Sequence, residues 1–401
     1  MRETVTRPLS LNTLKKRIYV KFMKNSKPSI LHILPGPIYS LSETITKKYD
    51  RLSDFSEGTV VSISDSHQEI TAGAYKIICK KMGNRYGFLT KIKLLASALQ
   101  QAHKLKAKKK LDIVVTYDPL KTGLIGLIIK KIYRCKLIIE VNGVYHSAVL
   151  QKNTNKQGTS LKRRFFPIIS HITLKNADGI KLLFENQIDK GSLNSKTAIM
   201  SFFDYTQIPS SPYKNNTENI ILSIGFPAHI KGMDILIEAF SMLTDEFPKW
   251  KLHLIGFFST QEIQYLKLLS AGSKNIVIKK PVDFSAVPKT IDACNIFALP
   301  SRTEAMGRVL LEAMARSKAR IATNVDGIPT VIEDGADGLL VEPESVKSLA
   351  YALKKLMENE PERQRLAEKA NCRFKKEFTL DCYAEKTKSL YDKVLQHILP
   401  A

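Results

Sequence analysis

The 401-residue sequence predicts an α/β fold made of two successive doubly wound parallel-sheet domains. Three observations carry this reading. The chain is too long for one ordinary core. Short apolar runs rich in branched residues alternate with stretches of helical periodicity, the pattern of a parallel sheet covered on both faces. That alternation stops at 207–217, a polar stretch containing prolines, and then restarts, as at a linker between domains. With 44% hydrophobic and 25% charged residues, the composition is that of a globular rather than a disordered chain.

Before the linker the predicted strands are 30–34, 59–63, 111–116, 137–141 and 179–184, with helices at 41–52, 91–106, 120–133 and 161–175 between them. After it the strands are 220–224, 252–255, 276–278, 296–299, 320–323 and 339–341. The helices there are 233–243, 263–269, 287–293, 308–315 and 346–357, with two more at 362–375 and 382–398. Ser345 ahead of a Val346, Leu349, Leu353, Leu356 stripe marks one helix start clearly. The predicted organisation is a basic extension at 1–28, a first domain at 29–206, the linker at 207–217, a second domain at 218–379, and a terminal helix at 380–401 returning to the first domain. In the extension, Leu11, Leu14, Ile18 and Phe22 share a helical stripe among lysines, which reads equally as a membrane-surface helix or as a packing element through 17–23.

Charge is distributed unevenly. Residues 1–200 hold 36 Lys and Arg against 13 Asp and Glu, whereas residues 201–401 hold 26 against 25. A one-sided basic field suits an anionic partner: a membrane surface, a phosphorylated lipid or nucleic acid. No nucleic-acid-binding motif supports the last of these. The five cysteines are scattered and form no CxxC pair, which argues against a disulfide framework or structural zinc and for a reducing cytoplasm. The N-terminus lacks the apolar core of a secretory signal, and the most apolar stretch, 120–141, is broken by Lys130, Lys131, Arg134 and Lys136. Any membrane contact is therefore expected at the surface. The cation–aromatic segment Leu161-Lys-Arg-Arg-Phe-Phe-Pro167 and the lysine run at 104–110 are the candidates.

The chemistry concentrates in Leu299-Pro-Ser-Arg-Thr-Glu-Ala-Met-Gly-Arg-Val-Leu-Leu-Glu-Ala-Met-Ala315. A strand ends, a short loop follows, and a helix begins near Gly307. The first amides of a helix lack intrahelical partners and carry about half a positive charge, which suits a diphosphate. Glycine at the turn allows close approach to the backbone. Glu304 and Glu312 bracket the turn. Beside a phosphate site they would repel it as ligands, so they suit sugar hydroxyls. A second loop, Gly225-Phe-Pro-Ala-His-Ile-Lys-Gly232, places Lys231 at a strand-to-helix turn as a point charge for phosphate, with Gly232 giving it room.

Together these residues resemble family-4, or group 1, glycosyltransferases of the GT-B superfamily. The resemblance rests on Gly225, Lys231-Gly232, the helix from Asp234 to Phe240, the Glu304-x7-Glu312 spacing, Asn324-Val-Asp-Gly-Ile-Pro329 and Ile332-Glu-Asp-Gly-Ala-Asp-Gly-Leu-Leu-Val341. It is continuous over about 220–357 and mostly architectural before that. It implies a GT-B fold with facing Rossmann-like domains and a UDP- or GDP-sugar donor held by the C-terminal one. Lys231 then contacts the diphosphate and Glu304 the transferred sugar, the two forming the catalytic pair. Glu312 holds the ribose, Gly225 and the amides of Met306, Gly307 and Arg308 meet the phosphates, and the base rests near 280–282, with Val282. Retention of anomeric configuration and no metal or other cofactor are implied as well. Two positions depart from the family pattern. Phe226 replaces an Arg, leaving Arg302, Arg308 or His229 as the second cation. Asn142 stands where an N-domain His is usual, with His146 four residues on. Gly36, in the first loop, is the candidate for approach to phosphates or acceptor.

The expected activity is transfer of a sugar to a glycan or a polyprenyl-diphosphate-linked acceptor in surface polysaccharide or lipopolysaccharide synthesis, in the cytoplasm or on the cytoplasmic membrane face. A nucleotide-sugar epimerase or a phosphorylase could use a similar frame.

Overall fold

The computed structural model describes residues 27–36, 43–81, 88–108, 111–144, 159–189, 191, 193–202, 205–206 and 208–396, with the side chains of 44, 88 and 159–164 excepted. Residues 1–26 of the predicted 1–28 extension, its whole amphipathic stripe included, and His146 lie outside the described residues.

The first sheet has eight strands: β1 (Ser29–Ile33), β2 (Glu57–Ser64), β3 (Gln68–Ala72), β4 (Tyr75–Lys81), β5 (Ile113–Thr116), β6 (Lys136–Glu140), β7 (Gly179–Leu182) and β8 (Ala198–Ser201). Their order is β3-β4-β2-β1-β5-β6-β7-β8. β3 pairs antiparallel with β4, while β1 runs parallel to both β2 and β5. The helices are α1 (Glu43–Leu52), α2 (Phe88–Ala107), α3 (Lys121–Tyr133) and α4 (Thr159–Lys175). The sequence reading omitted β3, β4 and β8. β3 carries Gln68, Glu69 and Thr71 and is only partly covered, so it lacks the apolar run by which a buried strand is recognised.

The second sheet runs β11-β10-β9-β12-β13-β14. Its strands are β9 (Asn219–Ile224), β10 (Trp250–Ile255), β11 (Ile276–Lys279), β12 (Ile296–Leu299), β13 (Ala319–Thr323) and β14 (Leu339–Val341), paired in parallel. The helices are α5 (Met233–Ser241), α6 (Thr260–Leu269), α7 (Val287–Asp292), α8 (Arg308–Ala315), α9 (Ile328–Val331), α10 (Val346–Glu358), α11 (Glu360–Glu377) and α12 (Leu380–Gln396). Caps set several starts: Ser259 and Glu262 form a reciprocal box on α6, and the Ser345 side chain accepts the Ser348 amide on α10. The stripe predicted for α10 is buried at Leu349, Leu353 and Leu356.

By packing, the chain divides into two compact units, 1–139 with 176–178, and 140–175 with 179–401. The proline-bearing stretch after 207 has no helix or strand. Its residues are nevertheless fixed within the second unit: the Ser211 amide donates to the Ala315 carbonyl (2.9 Å), and Asn216 Nδ2 donates to the Asp292 and Cys294 carbonyls. The terminal helix α12 packs on β7 and β8, with the Tyr383 ring against Phe202 and Tyr205.

The second unit contains a fully buried charge. Arg320 on β13 is wholly covered, and burial lowers its pKa to about 10. Asp337 answers it, accepting from Arg320 Nη2 (3.0 Å), Arg373 Nη1 (2.9 Å) and the Glu333 amide (3.0 Å). Removing one partner of such a pair strands the other in low dielectric. Asp337→Ala is therefore expected to lower the unfolding free energy by about 3–5 kcal/mol. Urea unfolding followed by fluorescence of Trp250, the chain's single tryptophan, measures it in the right unit.

Candidate functional site

β9 and β12 are neighbours, so the loops that leave their carboxyl ends toward α5 and α8 lie side by side. Three contacts draw these loops together. The Arg302 amide donates to the Ile230 carbonyl at 2.8 Å. Its guanidinium forks onto both Asp234 carboxylate oxygens (2.8 and 2.9 Å) and also reaches the His229 carbonyl (2.5 Å). Gly232 (φ 64°) lies against the Pro300 carbonyl so closely that a Cβ there would overlap its oxygen. Gly232 therefore makes room for the neighbouring loop rather than for Lys231, the role its sequence position suggested.

Gly225 makes the room for Lys231. A Cβ at 225 would lie 2.9 Å from Lys231 Cγ, so the lysine stem can lie flat across the end of β9. The Lys231 ammonium donates to Glu304 Oε2 across the two loops, with both side chains largely covered. Glu304 is itself held by its backbone: its amide donates to Asp326 Oδ2 (3.0 Å), and its carbonyl accepts the Gly327 amide (3.1 Å). The Thr303 hydroxyl also donates to Asp326.

Gly307 (φ 69°) starts α8 in the left-handed conformation, with no side chain capping the helix. A Cβ at Gly307 would lie 3.4 Å from Glu304 Cγ, which places the Lys231–Glu304 pair beside the helix start. Further along α8, Glu312 is buried, and burial pushes its carboxyl up to about 7 against the opposing pull of Arg308. Arg308 Nε stands 3.7 Å from Glu312 Oε1.

These groups line one cavity of about 350 Å³, within the range of small-molecule sites. Gly225, Lys231, Val282, Glu304, Arg308 and Glu312 of the predicted set form its wall. Met306, expected to act through its amide, and the first-domain candidates Gly36 and Asn142 do not contribute side chains to this wall. The Met306 side chain packs into the core with Leu299 and Leu310. Gly36 (φ 58°) follows β1, where a Cβ would meet the Ile63 carbonyl oxygen at 2.7 Å. Asn142 donates to Glu140 Oε2 at 3.1 Å. Of the three candidates for second cation, Arg308 lines the cavity. Arg302 is bound to Asp234, and His229 lies 3.7 Å from the same carboxylate. Phe226, in the place of the expected Arg, is on the cavity wall, its ring edge-on to Phe257 at 5.4 Å.

The sequence reading quoted Asp234, Asp326 and Gly327 within stretches of the resemblance but gave them no role, and it did not find Phe257. Asp326 left a weak signal, an Asp-Gly pair at a strand end, where such residues form turns.

A cationic, carboxylate-flanked cavity at the carboxyl ends of a parallel α/β sheet is the ligand site expected of a doubly wound fold. Residues 204–373 match the glycosyl transferases group 1 family. An uncharacterized glycosyltransferase of Methanocaldococcus jannaschii is 24% identical over 76% of this chain and 81% of its own. The capsular polysaccharide biosynthesis glycosyltransferase CapM of Staphylococcus aureus is 26% identical over 48% of this chain, which spans about half (51%) of that relative. Among solved structures, sucrose-phosphate synthase from Thermosynechococcus elongatus superposes with a TM-score of 0.74 at 16% identity, over 93% of this chain and 100% of that one. Anabaena HepE in complex with UDP and glucose gives 0.64 at 17% identity, over 90% and 99%.

Glu312 makes stability depend on pH. Its folded pKa of about 7 lies above its ordinary value of 4.5. Between these values the folded chain retains a proton that the unfolded chain has released, so this group's contribution falls as pH rises through the window. Glu312→Gln removes the effect. From below about pH 5 to above about pH 8, wild type is expected to lose up to about 3 kcal/mol relative to the variant, measured by urea unfolding at each pH.

Proposed function

We propose that this glycosyltransferase takes a sugar from a UDP- or GDP-sugar and delivers it to a glycan or polyprenyl-diphosphate-linked acceptor in surface polysaccharide synthesis. The observation that carries the reading is the convergence of the Lys231 ammonium, the Arg308 guanidinium and the start of α8 on one cavity, with buried Glu312 beyond them. In the reaction the bond between the sugar's anomeric carbon and the phosphate oxygen breaks, and its electron pair leaves on the diphosphate. The acceptor hydroxyl oxygen bonds to the anomeric carbon and gives its proton to the departing diphosphate oxygen. Negative charge thus develops on the phosphate that Lys231, Arg308 and the helix amides face, and preorganised donors there lower the barrier.

In this reading Lys231 and Arg308 meet the charge that a metal would otherwise meet, and no cofactor takes part. Glu304 holds the Lys231 ammonium in place and offers its carboxylate to the sugar. Glu312 takes the ribose hydroxyls, and the base lies along Pro281 and Val282. HepE, bound to UDP and glucose, and CapM, named for capsular polysaccharide, support the donor class and the setting respectively. Anomeric configuration is retained. The enzyme works on the cytoplasmic membrane face as a peripheral protein; none of its described helices is long and apolar enough to cross a bilayer.

Nucleotide release from a panel of UDP- and GDP-sugars tests the site. Lys231→Ala and Glu312→Ala are each expected to lower release by roughly a hundredfold. Release unchanged in both variants refutes the assignment.

A further inference from the structure

We propose that the outer face of α3 is a docking surface for an anionic lipid bilayer. This deepens the membrane part of the function proposed above and rests on it. The inner face of α3 is buried through Thr122, Ile125, Leu127 and Ile129. The outer face carries Leu124, Ile128 and Ile132, spaced by four residues and 37%, 40% and 58% exposed. Lys121 and Lys131 are exposed on the same arc. The solvated side of a helix is ordinarily polar, and a continuous apolar stripe there marks a partner. Helix α2 packs against α3 and adds exposed Leu89 and Ile92, with Lys91 and Lys93 beside them.

Charge identifies the partner. Neither α2 nor α3 contains an acidic residue. Between 88 and 134 the only carboxylates are Asp112 and Asp118, and both are used internally. Asp112 accepts the Ser29 amide at 2.8 Å. Asp118 is buried at the start of α3, accepting the Leu120 and Lys121 amides (2.8 and 2.6 Å) and the Thr122 hydroxyl. Among the described residues, the exposed charges of this segment are cations: the four lysines already named, with Lys104, Lys106, Lys108 and Arg134. The nearby Asp178 is taken up by Lys130 (2.6 Å). Aliphatic side chains flanked by lysines, on helices whose own sequences hold no acidic residue, fit the boundary between acyl chains and headgroups. Lysine stems lie along the apolar layer there while their ammonium groups reach the phosphates.

Co-sedimentation of the full chain with phosphatidylcholine vesicles, with and without phosphatidylglycerol, tests the proposal. Wild type is compared with Leu124→Ser/Ile128→Ser/Ile132→Ser, with Lys121→Glu/Lys131→Glu, and with Phe165→Ser/Ile168→Ser on α4, whose Phe165 and Ile168 are also exposed. Circular dichroism checks folding, and nucleotide release without vesicles checks the donor site. Wild type is expected to bind only the vesicles that contain phosphatidylglycerol. The triple variant should lose about tenfold or more of that binding while its nucleotide release is unchanged. The charge-reversed pair, which leaves the apolar stripe and the core intact, should lose binding as well, and decides the matter if the triple variant does not fold. Wild-type binding that survives in both α3 variants overturns the surface but not the membrane reading. So does loss confined to the α4 variant. Wild type that binds no vesicle, or binds polyglutamate as readily as vesicles, overturns both.

Discussion

The site depends on two crossover loops being held closer than most side chains would permit. β9 and β12 are adjacent, but adjacency alone leaves their loops free to splay. Gly232 pressed against the Pro300 carbonyl, and the Arg302 fork closed on Asp234, remove that freedom. Only then does the Lys231 ammonium reach Glu304 and lie beside the start of α8. Arg302 suits this clamp because a planar guanidinium fixes direction as well as distance, which an ammonium would not. The clamp also accounts for a division of labour among cations close in sequence: Arg302 organises the loops, whereas Lys231 and Arg308 face the cavity.

The two glutamates differ because their surroundings differ. Glu304 meets an ammonium across the loops, and Asp326 and Gly327 fix its backbone. Glu312 is on the buried side of a helix turn, with a guanidinium at 3.7 Å as its nearest opposite charge, and burial dominates. One carboxylate is thus positioned by charge, and the other is perturbed by desolvation. The spacing of eight residues separates them into a loop and a helix, so residues of the same type provide two chemically distinct acceptors around one helix start.

Much of the second sheet was legible in the sequence because parallel strands buried on both faces write unbroken apolar runs, and the ends of Ile296–Leu299 and Leu339–Val341 fall at the predicted residues. Lys231, Glu304 and Glu312 were legible because glycines and strand ends mark where ligands approach. The supports were not. Asp234 acts on a guanidinium 68 residues away, and Asp326 on an amide 22 residues back, and no local pattern encodes such pairings. Gly232 was read as serving its neighbour in sequence, whereas its small size serves a carbonyl brought near by the sheet. In the first sheet, β8 escaped notice because its residues are only partly covered, and partial cover leaves no contrast to read.

The carboxyl ends of β6 and β7 show how a departure from family pattern is accommodated. Lys181 is buried on β7, its Nζ 3.8 Å from Glu140 Oε2 and within 5.2 Å of the Phe202 and Tyr383 ring centres. A buried ammonium is tolerable when a carboxylate and aromatic faces share its field. Tyr383 belongs to α12, so the terminal helix closes this pocket of charge from the far end of the chain. Asn142 then donates to the same Glu140, and Gln187 Nε2 holds the Val141 and Gly143 carbonyls on either side of it. A histidine at 142 would bring a second titratable group onto a carboxylate already committed to Lys181. Asparagine supplies a hydrogen-bond donor without adding charge, and the loop remains anchored at both flanking carbonyls.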